Sequence, residues 1–296
     1  MNKFRTLLLA ACLVCLLCAC GNSPQPITTT QPAPIDTASP ILASPVPSDT
    51  STPTTLPTPA DTPTPLPNDR QTPMTLMLSR PTASFDSVAF LKDFISLIEK
   101  ENLQVVTYRM LSEDPDLSAT QQGKLLVITF DNIYLRYPIN DGVLEMIDLL
   151  KEAGYPAVVG VITEDDYIYA DTANTLTSLS DAGWEIASNT DTYRNLLEVQ
   201  GISPKAIAPE INTSLDKLEN TIGIRPITLL LPYGQMTNGD EQIKRTGVQW
   251  VVGIGGGTVY DISAAYYFVG REGAAGTAQE TYDRMLQRFS YPGKDN

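Results

Sequence analysis

Between residues 124 and 254, short β-rich apolar runs alternate with segments of helical periodicity, and this alternation limits the possible folds more than any other feature. The run 124–130, K-L-L-V-I-T-F, is almost wholly apolar, which suits a strand covered on both faces. From Asp141 onward Val143, Ile147 and Leu150 recur at helical spacing, and Gly154 supplies the stop. A strand over 157–162 follows, then Leu176 and Leu179 lead to a helix end at Gly183, and 184–187 reads as a short strand. Leu215, Leu218 and Ile222 mark a helix closed by Gly223; a strand over 227–231, a helix over 240–246 and a strand over 248–254 come next. Upstream, Val88, Leu91, Ile95 and Ile98 share one face of a helix over 86–101, and 103–108 reads as a strand. A last helix is expected near 279–289. Repeated strand–helix units build parallel sheets or barrels, because each helix carries the chain back to start the next strand in the same direction.

The first 73 residues have a different character. Lys3 and Arg5 precede an apolar run, 6–17, that is shorter than the roughly 20 residues needed to span a bilayer. This is the pattern of a secretory signal. It ends in Leu17-Cys18-Ala19-Cys20-Gly21, which resembles a bacterial lipobox. The resemblance implies cleavage after residue 19 and lipidation of Cys20, with the chain anchored to a membrane of the bacterial cell envelope on its extracytoplasmic side. Residues 21–73 hold 14 of the 23 prolines and no aromatic residue, so this stretch cannot bury enough apolar surface to fold. It is expected to act as a tether, reaching on the order of 160 Å if fully extended and roughly 40 Å as a coil. The expected organisation is therefore a signal segment (1–19), a lipidated tether (20–73) and a folded domain (74–296).

The folded part contains no cysteine, and the whole chain contains no histidine. No disulfide is available to it, and the side chains that most often hold zinc and other first-row metals are missing. Its acidic balance, part of a net charge of −14, argues against nucleic acid or anionic lipid as a partner.

Four segments carry a family resemblance. V-I-T-F-D-N at 127–132, ending in Asp131 and Asn132, is similar to the T-F-D-D-G strand end of the polysaccharide deacetylases (carbohydrate esterase family 4, NodB homology domain). L-K-E-A-G-Y-P-A at 150–157 is similar to the helix–strand junction that follows it there. G-W-E-I-A-S-N-T-D-T-Y at 183–193 resembles that family's G-H-E-I-G-x-H-T-x-x-H segment, and L-P-Y-G at 231–234 matches its P-Y-G loop. L-M-L-S-R at 76–80 also resembles a strand of one branch, L-M-Y-H-R. The resemblance implies a distorted (β/α)7 barrel over nearly all of 74–290, with the site at the C-terminal ends of the strands.

Position by position, the resemblance identifies Asp131 with the general base and the Tyr233 backbone N–H with an oxyanion donor. The metal ligands of the family fall on Asn132, Asn189 and Tyr193, and two further histidine positions on Ser79 and Trp184. The arginine that many members carry before P-Y-G falls on Leu230. One carboxylate has become an amide, and every imidazole is gone. A bound zinc brings the pKa of water from about 15.7 to about 7, roughly 12 kcal/mol toward hydroxide. General-base help from Asp131 alone contributes about 3–5 kcal/mol.

The expectation is thus a deacetylase-like domain without metal or other cofactor. Asp131, Asn132, Asn189, Asp191, Tyr193 and Tyr233 would line a mouth suited to sugar hydroxyls and ring faces. Asp165-Asp166 and G-G-G-T at 255–258 read as loops; the latter lacks the lysine and spacing of a phosphate loop. Three functions follow from the resemblance and from the tether. The first is a non-catalytic protein that binds cell-wall polysaccharide. The others are a residual hydrolase of non-peptide C–N bonds with an unusual metal site, and a scaffold for an unidentified protein.

Overall fold

The computed structural model describes residues 73–114, 116–117, 124–235, 240–255 and 266–289. The expected signal segment, Cys20, nearly all of the tether and 256–258 of the glycine-rich loop lie outside them. The chain runs β1 (Met74–Leu78), α1 (Ser87–Glu101), β2 (Gln104–Val105), α2 (Tyr108–Glu113), β3 (Leu125–Tyr134), α3 (Asp141–Glu152), β4 (Val158–Ile162), α4 (Ala170–Asp181) and β5 (Glu185–Ser188). It continues with α5 (Leu196–Ile202), α6 (Ile207–Ile222), β6 (Thr228–Leu230), α7 (Asp240–Lys244), β7 (Trp250–Val252), β8 (Tyr267–Val269), β9 (Glu272–Gly273) and α8 (Ala278–Arg288). Single 3-10 turns occur at Pro204–Ala206 and Pro232–Gly234. No helix among the described residues is long and apolar enough to cross a membrane.

Among the described residues every pairing between these strands is parallel. The strand order is β8-β7-β6-β5-β4-β3-β1-β9, with β2 beside the start of β3. The two ends of that order, β8 and β9, are separated in the chain only by Gly270 and Arg271. Seven inter-strand gaps in a flat sheet would span about 34 Å, whereas the three Cα steps from Val269 to Glu272 reach about 11 Å at most. The sheet must therefore curl until its ends meet. This is the distorted (β/α)7 barrel architecture expected from the motifs.

Strand parity sorts the core into an inside and an outside. Leu126, Ile128 and Phe130 of β3 join Leu76, Leu78, Val159 and Ile186 in a cluster packed against α1, α3, α4 and α8. Their neighbours Leu125 and Val127 join Val158, Ala187, Leu230, Trp250, Val252 and Val269 in a second cluster that fills the barrel. Tyr108 and Leu111 of α2 belong to this inner cluster. Three contacts place α2 across the N-terminal end of the barrel. Tyr108 Oη lies 2.9 Å from Thr75 Oγ1 of β1, Ser112 Oγ accepts from Trp250 Nε1 of β7 at 2.8 Å, and the Arg109 N–H donates to Glu185 Oε2 of β5 at 2.9 Å.

These contacts correct the expected strand over 103–108. Only Gln104–Val105 pairs with β3, and Thr107 caps α2 by accepting from the Met110 N–H, because Tyr108 is needed as a plug. Strand β3 runs four residues beyond 130. On α1 the core positions are Val88, Phe90, Leu91, Phe94, Leu97 and Ile98, while Ile95 is only half-buried. The helix ends expected at Gly154, Gly183 and Gly223 are observed, each glycine with positive φ. Helices α2 and α5 and strands β8 and β9 carry too few periodic residues to be read from sequence.

Candidate functional site

The inward parity of β3 continues past its apolar half. Leu125 and Val127 point into the barrel, so Thr129 and Asp131 do also, and Asp131 arrives at the C-terminal mouth. By the same rule β5 aims Glu185 at the floor and Asn189 at the mouth, and the β8–β9 link aims Arg271 inward while Glu272 faces Arg284 and Arg288 of α8. Arg271 is fully buried, and its Nη1 lies 2.6 and 2.7 Å from the two carboxylate oxygens of Asp131, whose side chain is 9% exposed. Nη1 also lies 3.4 Å from Thr129 Oγ1, and Nε donates to the Gly253 carbonyl at 2.9 Å. Nη2 has no hydrogen-bond partner among the described residues. An arginine therefore does reach this site, from position 271 rather than from position 230, where Leu230 packs against Gly160.

Asn132 has φ 65°, at the point where the β3–β4 register shifts, so a bulge there turns its side chain out to solvent. Its backbone N–H donates to Asn189 Oδ1 at 3.2 Å, and Asn189 Nδ2 donates to the Leu230 carbonyl at 2.9 Å. Both ends of the fully buried Asn189 amide thus tie β3 and β6 together through β5. A side chain on Gly160 would come within 3.3 Å of Asn189 Oδ1, so β4 contributes only backbone at this point.

Tyr193 follows a turn in which Thr190 Oγ1 accepts the Tyr193 N–H at 3.1 Å. Its ring lies 5.2 Å from that of Tyr233 at 39°. Burial first, and the Asp131 carboxylate second, push the Tyr193 phenol pKa above its ordinary value. The Asn132 side chain and the Tyr233 backbone N–H act on the same phenol as hydrogen-bonding groups and partly offset that rise. The Tyr193 hydroxyl is thus a near neighbour of the N–H that the motif assigns to an oxyanion. Asn132, Thr190, Tyr193 and Tyr233, all with φ between 57° and 65°, are four of the six non-glycine residues with positive φ among those described. Such strain, about 1–3 kcal/mol each, gathers at functional sites. Gly234 is required because a Cβ there would meet Ile254 at 2.3 Å.

A cleft of about 450 Å³ opens above these residues, lined by Tyr134, Glu164, Thr192, Tyr193, Arg194, Asn195, Glu198, Tyr233 and Gln235. Asp191 is not among them. It accepts from Thr163 Oγ1 at 2.8 Å and from Lys217 Nζ at 3.0 Å, so its carboxylate is committed to α6 instead of the mouth. Lys217 also donates to the carbonyls of Thr163 and Asp165, stapling the loop after β4 to α6. Asp165 and Asp166 are exposed, as a solvated loop would be. Trp184 precedes β5 and stacks on Phe130 with ring centroids 6.2 Å apart, in the outer core and far from the mouth. Ser79 is exposed at the end of β1.

The donor set does not fit a metal of the kind the motif family uses. Asn189 Oδ1 already accepts the Asn132 N–H, burial and the Asp131 carboxylate disfavour ionisation of the Tyr193 phenol, and Asp131 faces a guanidinium. A cation beside Asp131 would sit next to that fixed positive charge. Among the described residues no group of three or more His, Cys, Asp or Glu could hold a metal ion.

Arg271 had no local signal in the sequence, since it lies 140 positions from its partner in a two-residue link. Tyr134 was legible in principle, as an aromatic three residues beyond Asp131 on the same strand. Arg194, Asn195, Glu198 and Gln235 follow the recognised motifs directly, but nothing in their types distinguishes them from surface residues.

A family model described as polysaccharide deacetylase matches residues 118–251. Among curated proteins no sequence matches. Among solved structures, a deacetylase from Streptococcus pyogenes, PplD in complex with acetate, is 15% identical with a TM-score of 0.58, covering 74% of this chain and 99% of that one. A de-N-acetylase from Aggregatibacter actinomycetemcomitans is 18% identical with a TM-score of 0.56, covering 74% and 100%. A polysaccharide deacetylase from Bacillus cereus is 16% identical with a TM-score of 0.56, covering 73% and 69%. At these identities the likeness is one of fold. Residues 118–251 thus match the polysaccharide deacetylase family model, and the fold is the one seen in solved polysaccharide deacetylases.

Proposed function

We propose that this protein is a non-catalytic, glycan-binding member of the deacetylase-like group, exported, lipidated at Cys20 and held off a bacterial envelope membrane by its proline-rich tether. The observation that carries the reading is the commitment of the old chemical groups to structure. Asp131 is neutralised by a buried arginine, and Asn189 spends both ends of its amide on barrel bonds. The cleft above them keeps tyrosine faces, amides and a mixed set of charges, which is the chemistry that recognises sugars. Among the described residues no cluster of metal-ligating side chains stands beside Asp131, and an oxyanion donor alone has no charge to stabilise without a nucleophile.

The test is binding of the purified protein to insoluble chitin and to peptidoglycan, beside the Tyr233→Ala variant, with acetate release measured in parallel on an acetylated chito-oligosaccharide with zinc, cobalt or manganese. Retention of the wild type, weakened in Tyr233→Ala, with no acetate released, is the expected outcome. Acetate release that is lost in Asp131→Asn would replace this reading with the residual hydrolase; absence of binding to either polymer would remove the glycan.

A further inference from the structure

The last four residues of β3 carry the argument beyond the cleft. The strand projects past Asp131 and closes in a turn in which the Tyr137 N–H donates to the Tyr134 carbonyl at 3.3 Å. The two tyrosine rings stand 5.8 Å apart at 61°. The turn is fixed from below, because the buried Thr172 hydroxyl donates to the Tyr137 carbonyl at 2.6 Å. The Arg136 guanidinium lies 4.6 Å from the centre of the Tyr137 ring and covers one face. It is itself paired with Asp165, with Glu164 3.8 Å away. Tyr137 is thus held in place, yet it remains 48% exposed. Tyr134 lines the same cleft as Tyr193 and Tyr233, so the turn starts at the wall of that cleft.

Core packing does not explain a rigid turn that presents an aromatic face to water. Exposed aromatic groups held by a built support mark a binding surface. Two aromatic pairs, Tyr193–Tyr233 in the cleft and Tyr134–Tyr137 leading out from its lining, suit two successive rings of a ligand. We propose that the Tyr134–Tyr137 turn is a second sugar subsite, and that the protein takes a neutral polysaccharide chain of several units in place of a single sugar or an acetyl group. Neutrality follows from the charges. Glu164 lies beside Arg136, the cleft lining carries one arginine, Arg194, with Glu164 and Glu198, and the net charge of −14 repels polyanions. This inference rests on the glycan reading and extends it.

The experiment is a calorimetric titration of the full chain, and of Tyr137→Ala and Tyr233→Ala, with chitin oligosaccharides of one, two, four and six sugars. Tyr137 contacts solvent, so its loss leaves folding intact, which circular dichroism checks. Wild-type affinity is expected to rise about tenfold or more from the disaccharide to the tetrasaccharide, and Tyr137→Ala to lose that gain while its disaccharide affinity stays within about twofold of wild type. Tyr233→Ala should weaken every length. Equal wild-type affinity at all lengths, or a Tyr137→Ala loss as large for the disaccharide as for the hexasaccharide, overturns the second subsite and leaves the glycan reading standing. Failure of every length to bind overturns both. Equal binding of an oligogalacturonate of matched length overturns the neutral class.

Discussion

Removing one member of the Asp131–Arg271 pair should destabilise the protein far more than removing both. The guanidinium is fully buried and the carboxylate nearly so, with contacts of 2.6 and 2.7 Å. With charge centres roughly 4 Å apart and an effective dielectric constant near 20, their attraction is about 4 kcal/mol. In Arg271→Met the carboxylate remains at the barrel mouth without its cation. In Asp131→Asn the guanidinium keeps Gly253, the long contact to Thr129 and a neutral amide oxygen, but loses its counter-charge, with Nη2 already unpartnered. Breaking a buried pair on one side costs about 3–5 kcal/mol, whereas exchanging both partners for uncharged groups is often neutral. Each single variant is therefore expected to lose about 3 kcal/mol, the lower end because Asp131 touches the cleft. The double variant should lie within about 1 kcal/mol of wild type. Urea unfolding followed by circular dichroism reads this as a fall in midpoint at constant m, and thermal unfolding as a fall of roughly 6–12 °C in the single variants. A single variant within about 1 kcal/mol of wild type would refute the reasoning. It would mean that Asp131 is not committed to Arg271, and would return it to consideration as a general base.

Two further predictions concern the same barrel. Asn189→Ala removes the acceptor for the Asn132 N–H and the donor for the Leu230 carbonyl, two bonds at a fully buried position, and should cost about 2–4 kcal/mol in chemical denaturation; a loss below about 1 kcal/mol would mean that water replaces both. At the floor, burial raises the pKa of Glu185, opposed by the bonds from Thr228 and the Arg109 N–H. Because the folded pKa lies above the unfolded one, the folded state holds the extra proton. The contribution of Glu185 to stability is therefore greatest below the unfolded value near pH 4.3 and declines as pH rises through the folded value. Glu185→Gln should remove that decline, so the stability difference between variant and wild type should shift in favour of the variant on going from pH 4 to pH 7; a pH-independent difference would contradict the assignment.

The sequence alone determined the strand–helix alternation of a parallel sheet or barrel, and the motif resemblance implied the barrel. The nearly continuous apolar runs at 124–130 and 157–162 suit strands covered on both faces, and the glycines at 154, 183 and 223 end helices where the chain passes through a left-handed turn. Those are local properties, written in side-chain type and spacing. The motifs likewise located Asp131, Asn132, Asn189, Tyr193 and Tyr233 at one end of the strands; parity brings Asp131 and Asn189 together there, and a bulge and two turns set the other three. Asp191 was misplaced because its partner Lys217 sits on a helix 26 positions away, and an ion pair across elements leaves no mark on either segment.

Only the tertiary structure decided what the mouth contains. Whether Asp131 is a free carboxylate depends on Arg271, which reaches it because the curled sheet brings its last strands beside its first. Whether Asn189 can face a ligand depends on the Leu230 carbonyl and the Asn132 N–H, backbone groups whose positions are fixed by register and a bulge instead of by residue type. The second aromatic pair depends on a turn pinned by Thr172 and Arg136. Strand and helix follow from short-range pattern, but the chemistry of a buried polar group is set by neighbours that the fold, and not the chain, places next to it.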